Sequence, residues 1–274
     1  MSSSMVSCLR PVLFMTSLLI PSLVSGGVLV KSHRIQLTPA QAKEIGMLVW
    51  RNECAGTVEG LTSWNDTEEF PSLGIGHFIW YPAGRRGPFQ ESFPAVVEYL
   101  SSRHAKLPSW LSSHPVPPCP WATRTEFLKD LKGPRLVELR QVLSKTVDLQ
   151  VEFLVKRQEE ALPRMLSKAN PDRRPNIESQ FYRVASHPRG PYALIDYVNF
   201  KGEGCLETER YAGEGWGLLQ VLDHMTGTDP GTAVDEFVAS AKERLKRRVA
   251  HSPPHRHEEG WLSNWLGRLD TYRH

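Results

Sequence analysis

Apolar residues recur at helical spacing over Ala42, Ile45, Leu48 and Val49, and this run carries start and stop signals. Thr38-Pro-Ala-Gln41 reads as a capping box, with Thr38 as N-cap, Pro39 in the first turn and Gln41 reaching back. Gly56 and Gly60 follow, so the spacing predicts a helix that ends near Glu53. From Thr57 to Tyr81 the pattern shortens to β-like pieces punctuated by Gly and Pro. Phe93 to Leu100 returns to helical spacing. Leu107 to Trp121 holds five prolines and reads as an extended loop.

Helical patterning dominates from Thr123 to about Lys168, broken once at Gly133-Pro134, with Thr146 placed to cap the longer second part. Asn170-Pro-Asp-Arg-Arg-Pro175 is a turn. Ile177 to Ala185 and Tyr192 to Val198 are apolar enough to be core helices. Asn199-Phe-Lys-Gly-Glu-Gly204 and Gly213-Glu-Gly-Trp-Gly217 read as Gly-rich loops, and the apolar run Leu218 to Leu222 follows. Thr232 to Val249 predicts a basic-faced helix, then a polar loop from His251 to Glu259 and an aromatic tail from Trp261 to Tyr272. The expected class is α+β, mainly helical with a small β element.

The N-terminus changes the picture of where the protein works. Arg10 is the only charge in the first 30 residues, and it precedes an apolar run ending in Ser25-Gly26-Gly27. This predicts a secretory signal peptide over residues 1–26 and a secreted or periplasmic protein. Residues 27–274 then form one domain, with a C-terminal helical extension over about 230–274. The run is short for a membrane span and contains Pro11 and Pro21, and no later stretch is long and apolar enough to span. The charge balance of 33 Lys+Arg against 30 Asp+Glu is weakly basic, which suits an anionic cell-wall polymer. No basic run with interleaved aromatics and no zinc-finger spacing occurs, so nucleic acid is not an expected partner. No cofactor or metal is expected. His251, His255 and His257 with Glu258 and Glu259 read as a solvated loop. With Cys8 lost in the signal, Cys54, Cys119 and Cys205 remain, which permits at most one internal bridge from three possible pairings.

Two carboxylates stand out as chemistry. Glu53 ends an apolar-faced helix, where partial desolvation would keep it protonated as a general acid. Asp66 opens a polar run, where it would stay solvated and ionised as base or stabiliser. Ser72 could hold a water, and Gly74 and Gly76 permit close backbone approach before His77. Asn65, Glu203 and Glu214 are alternatives for the second group. Trp80 and Trp216, beside Gly-rich segments, are candidate sugar-stacking platforms.

The stretch Asp66-Thr-Glu-Glu-Phe-Pro-Ser-Leu-Gly-Ile-Gly-His77 resembles the β-hairpin signature of phage-type lysozymes. In that family a Glu ends the first helix, an Asp follows on the hairpin, then a hydroxyl residue, then a Gly-x-Gly-His segment. Glu53, Asp66, Ser72 and Gly74-Ile-Gly-His77 stand in that order. The Glu-to-Asp spacing is longer than is usual there, and Ser replaces the usual Thr. Ala193-Leu-Ile-Asp-Tyr-Val-Asn199 is similar to a core helix lining the cleft of lysozyme-like proteins. Gly215-Trp-Gly-Leu-Leu-Gln220 is similar to a turn of soluble lytic transglycosylases. The resemblance implies a two-lobed lysozyme-like fold and a glycoside hydrolase of the muramidase type acting on peptidoglycan. Catalysis would fall to Glu53, Asp66 and Ser72. Gly74, Gly76, His77, Trp80, Asn199, Trp216 and Gln220 would bind substrate. In such a cleft Cys54 and Cys205 would both border the site, so the resemblance also implies a bridge between them. The alternatives are a lytic transglycosylase using Glu53 alone and a non-catalytic wall-binding or structural protein.

Overall fold

The first helix, α1 (Pro39–Cys54), starts where its capping box predicts. The Thr38 side chain accepts from the Gln41 amide, and the Gln41 side chain accepts from the Thr38 amide. It ends at Ala55, whose left-handed φ of 52° turns the chain out. The structure is a computed structural model in which residues 34–87 and 89–274 are described; the expected signal segment lies outside them. Ala42, Ile45, Gly46 and Val49 form the buried face of α1.

Three two-residue strands follow: β1 (Thr62–Ser63), β2 (Ser72–Leu73) and β3 (Phe78–Ile79). They form one antiparallel sheet in chain order, with Ser72 opposite both Ser63 and Ile79. Then come α2 (Phe93–Ser102), α3 (Arg124–Lys129) and α4 (Pro134–Lys145). Gly133 and Pro134 separate the last two, as their breaking character predicts. The 22-residue helix α5 (Val147–Lys168) is the element against which α1, α2, α6 (Arg174–Ala185) and α7 (Gly190–Lys201) all pack. Thr146 precedes α5 without capping it by its side chain; its hydroxyl donates to the Val142 carbonyl instead.

The segment Gly213 to Gly217 was expected to be loop. It contains half of a hairpin, β4 (Arg210–Tyr211) with β5 (Glu214–Gly215). Ala212 and Gly213 turn the chain between them, both at positive φ. Such a turn is favoured by Asn-Gly or Asp-Gly, so an alanine in its first position hid it. Helix α8 (Leu218–His224) follows, then α9 (Ala233–Ala250) and α10 (Glu259–Asp270). α9 packs against α6, α7 and α8, and Phe237, Leu245, Leu269 and Tyr272 are fully buried. The residues read as an extension therefore share the core of the preceding helices. Helix accounts for 62% and strand for 5% of the described residues, which establishes the mainly helical class with a small antiparallel sheet.

One buried amide fixes the sheet to the helices. Gln150 on α5 is fully buried, and its Oε1 accepts from the Ile75 amide at 3.0 Å. Its Nε2 donates to the Leu143 carbonyl at 2.7 Å. The Cys54 thiol donates to the Gly74 carbonyl at 3.5 Å. The Gly74–His77 turn is thus bonded to both α1 and α5. Gly74 has φ +68°, and a Cβ there would lie 2.4 Å from Gln150 Oε1. Gly74→Ala is expected to cost about 1–3 kcal/mol through strain and loss of the Gln150 contact. Urea unfolding measures this, and an unchanged midpoint would mean that Gln150 does not hold the turn.

Candidate functional site

Glu53 is placed one residue before the end of α1, where its side chain is 11% exposed. Both its oxygens are engaged. Oε2 lies 3.4 Å from His77 Nδ1, and Oε1 accepts from the Arg268 guanidinium of α10. His77 reaches Glu53 because it closes the pinned turn with a left-handed φ of 47°, an uncommon conformation outside glycine. A guanidinium only donates, so the Glu53 oxygen facing Arg268 is an acceptor in this arrangement. To deliver a proton from that oxygen, Glu53 must leave Arg268.

Arg268 is itself fixed from behind by Asp196, on α7. Its Nε donates to Asp196 Oδ2 at 2.8 Å and its Nη2 to Oδ1 at 2.7 Å, a two-pronged pair. Asp196 has no exposure and also accepts from Tyr272 Oη at 2.6 Å and Asn52 Nδ2 at 3.1 Å. Asn52 donates as well to Tyr192 Oη at 2.7 Å. Burial works against the Arg268 charge, but the bonds and charge of Asp196, joined by Glu53, outweigh it. The guanidinium is held above its ordinary range.

Sequence reasoning singled out Glu53 and His77, and the fold brings them together. It missed Asp196, Asn52, Tyr272 and Arg268. Asp196 left a signal: it is the one acid in the apolar run Tyr192 to Val198, and buried carboxylates are paired. Arg268 left none, since nothing marks it off from other tail cations.

The remaining candidates fall elsewhere. Asp66 and Asn65 are exposed on the β1–β2 connection, and Asp66 makes no side-chain bond among the described residues. Ser72 is buried in the central strand, its carbonyl taking the Ser63 hydroxyl. Gly76 lies against the Phe78 ring and Leu154. Trp80, expected to stack on sugar, is fully buried among Phe93, Trp110 and Trp121, and its indole donates to the Pro117 carbonyl. It serves the core, because the short strand β3 leads straight into the aromatic cluster. Trp216 is also buried, with the Arg248 guanidinium 4.1 Å from its ring and the Tyr197 hydroxyl on its carbonyl. Gln220 donates to the Gly204 carbonyl, bracing the two Gly-rich segments together. Asn199 follows Val198 near the end of α7, its amide nitrogen buried without a hydrogen-bond partner among the described residues. Of the alternative acids, Glu203 pairs with Arg164 and Glu214 with Arg247.

The expected Cys54–Cys205 bridge is corrected. Cys54, Cys119 and Cys205 are all free thiols. Cys54 spends its thiol on Gly74, and burial with the neighbouring Glu53 charge pushes it up to about 12. Cys119, in the stretch read as an extended loop, is buried and donates to the Trp121 carbonyl. The expected solvated loop also needs correction at Glu258, which is buried and held by Arg248 at 2.7 Å and by the Tyr211 hydroxyl.

Two further groups are displaced. Glu209 is the one carboxyl shifted upward among the described residues, by burial partly offset by amide hydrogen bonds. Lys201, at the end of α7, is 7% exposed, with its Nζ 3.3 Å from the Trp265 ring centroid and 4.0 Å from that of Phe200. The rings favour its charge, but burial and the cations Arg248 and Arg268 lower it to about 6. Comparison of the chain with family models, with characterised proteins and with solved structures finds no match.

Two outcomes follow from this network. Arg268→Gln strands the Asp196 charge in the interior and is expected to cost about 3–5 kcal/mol, read by chemical denaturation. A loss below about 1 kcal/mol would show that Asn52 and Tyr272 suffice for Asp196. For Lys201, the unfolded chain titrates near 10.5 and the folded chain near 6. Between those values the unfolded state binds more protons, so stability rises with pH and is lost as pH falls; below about 6 both states hold the proton. Lys201→Met is expected to raise the urea midpoint at pH 7 and flatten its rise toward pH 10. Retention of the wild-type slope would assign that slope to another group.

Proposed function

We propose that the protein is a glycoside hydrolase of the lysozyme-like kind, acting on peptidoglycan glycan strands outside the cytoplasm. The observation that carries this reading is the environment of Glu53. It is a nearly buried carboxyl at a helix end, next to a short antiparallel sheet whose Gly-x-Gly-His turn puts His77 against it. The order of Glu53, Asp66, Ser72 and His77 along the chain supports the same reading.

In the proposed reaction Glu53 delivers a proton to the glycosidic oxygen as that bond breaks. Arg268 and His77 position its carboxyl. A sugar oxygen arriving at Glu53 competes with Arg268, which keeps Asp196 as partner when Glu53 swings away. Asp66, solvated on the β1–β2 connection, would steer the attacking water.

A second reading has an observation in its favour. Both Glu53 oxygens are taken up by protein partners, one of them a cation anchored in the core. That arrangement also suits a non-catalytic wall-binding protein in which Glu53 closes a structural network.

Incubation of the purified protein with peptidoglycan, followed by analysis of released ends, separates these readings. Free reducing ends are expected from hydrolysis and anhydro-muramyl ends from a transglycosylase. Glu53→Gln is expected to lower the rate ~10²–10⁴-fold with the fold retained by circular dichroism. Binding with no product from the wild-type chain would favour the non-catalytic reading, and full activity of E53Q would remove Glu53 as the acid.

A further inference from the structure

Helices α2 and α5 face each other across a groove with a cavity of about 340 Å³. Tyr99 and Glu91 stand on one side and Phe153, Arg157 and Arg164 on the other. Phe153, which lines the groove, packs 5.6 Å from Phe78, the residue after His77.

Its charges can be accounted for one at a time. Lys156 pairs with Glu160 at 3.2 Å, and Arg164 with Glu203 at 2.7 Å. Glu91 accepts from the Tyr81 amide at 2.7 Å, and Glu98 reaches His114 at 3.8 Å. Tyr99 and Arg103 both bond Glu152 beside the groove. Arg157 is the one lining cation with no ion pair among the described residues. It is partly buried and makes no hydrogen bond or ion pair to a described residue, while Glu203 and Glu160 act on it only from a distance. Burial pulls its pKa down, yet an arginine does not give up its proton in a protein. A partly desolvated cation that faces a cavity with no hydrogen-bond or ion-pair partner is costly, and a bound anion offsets that cost.

We propose that Arg157 receives a carboxylate of the bound glycan, so that the groove is a subsite selecting acidic amino-sugar chains over neutral ones. This rests on the glycan reading above and adds to it the class of chain preferred. The guanidinium fork matches a carboxylate with two parallel hydrogen bonds. A muramyl chain offers such a group from two sources, the lactyl substituent of the sugar or the attached peptide. A chitin chain offers none.

The test is calorimetric binding to the full chain, which needs no turnover. Three probes are used: a peptide-free muramyl tetrasaccharide, the same sugar bearing its stem peptides, and chitotetraose. Wild type is expected to bind at least one muramyl probe more tightly than chitotetraose, and which probe does so identifies the source of the carboxylate. Arg157→Gln is expected to weaken that probe on the order of 10–100-fold and leave chitotetraose unchanged. Arg157→Lys, which keeps the charge, is expected to retain part of the preference. Equal weakening of all probes by R157Q, or no weakening, overturns the proposal while leaving the glycan reading intact. Binding of none of the probes by wild type removes the glycan reading and the proposal with it.

Discussion

A carboxylate with no access to water organises this protein. Asp196 sits in the middle of α7, and an isolated charge there would cost several kcal/mol. The fold meets that cost with donors from three separate parts of the chain: Asn52 from α1, Arg268 from α10 and Tyr272 just beyond it. Each donor needs its own element docked, so α1, α7 and the C-terminal segment must come together for all of them to be satisfied. The ring of Tyr272 meets Tyr192 and Phe237 in the same place, which joins apolar packing to the polar pairing.

The candidate site inherits its geometry from this network and from the turn opposite. Arg268 arrives at Glu53 already oriented by Asp196. His77 arrives because Gln150 and Cys54 hold the preceding residues against α5 and α1. A carboxyl placed between the Arg268 cation and the His77 imidazole is positioned by side chains from two separate elements. The same preorganisation constrains the chemistry. An acceptor of a guanidinium hydrogen bond becomes a proton donor only by exchanging that partner for another. In the proposed reaction substrate oxygen is that other partner, and Asp196 is what allows Arg268 to be left behind at little cost.

Cations and aromatic rings recur around this region. Arg248 lies over Trp216 and Trp265, and Lys201 lies between Trp265 and Phe200. Glu258 answers Arg248 from the connection before α10. The aromatic residues that looked like sugar platforms are instead occupied by the protein's own cations or by the core. A ring face already covered by a guanidinium has little left to offer a sugar.

Much of the local structure was written in the sequence. Thr38 and Gln41 marked the start of α1, Gly56 marked its end, and the helical period of α5, α6, α7 and α9 marked the rest, because caps and periodicity act over one or two turns. Glu53 and His77 were legible as candidates from their place around a helix end and a Gly-x-Gly turn. Their meeting was not. The β4–β5 hairpin escaped because its turn uses an alanine where asparagine would have signalled it. Trp80 and Trp216 were misassigned because burial depends on what packs above a residue, and the covering residues are remote in the chain. The thiols of Cys54 and Cys205 stay unpaired although sequence allowed a bridge, since bond formation depends on where two backbones are brought. Arg268 lies 215 positions from Glu53. No local pattern encodes a contact of that separation. It exists because a buried aspartate on a third helix requires a cation, and only the folded chain decides which one is within reach.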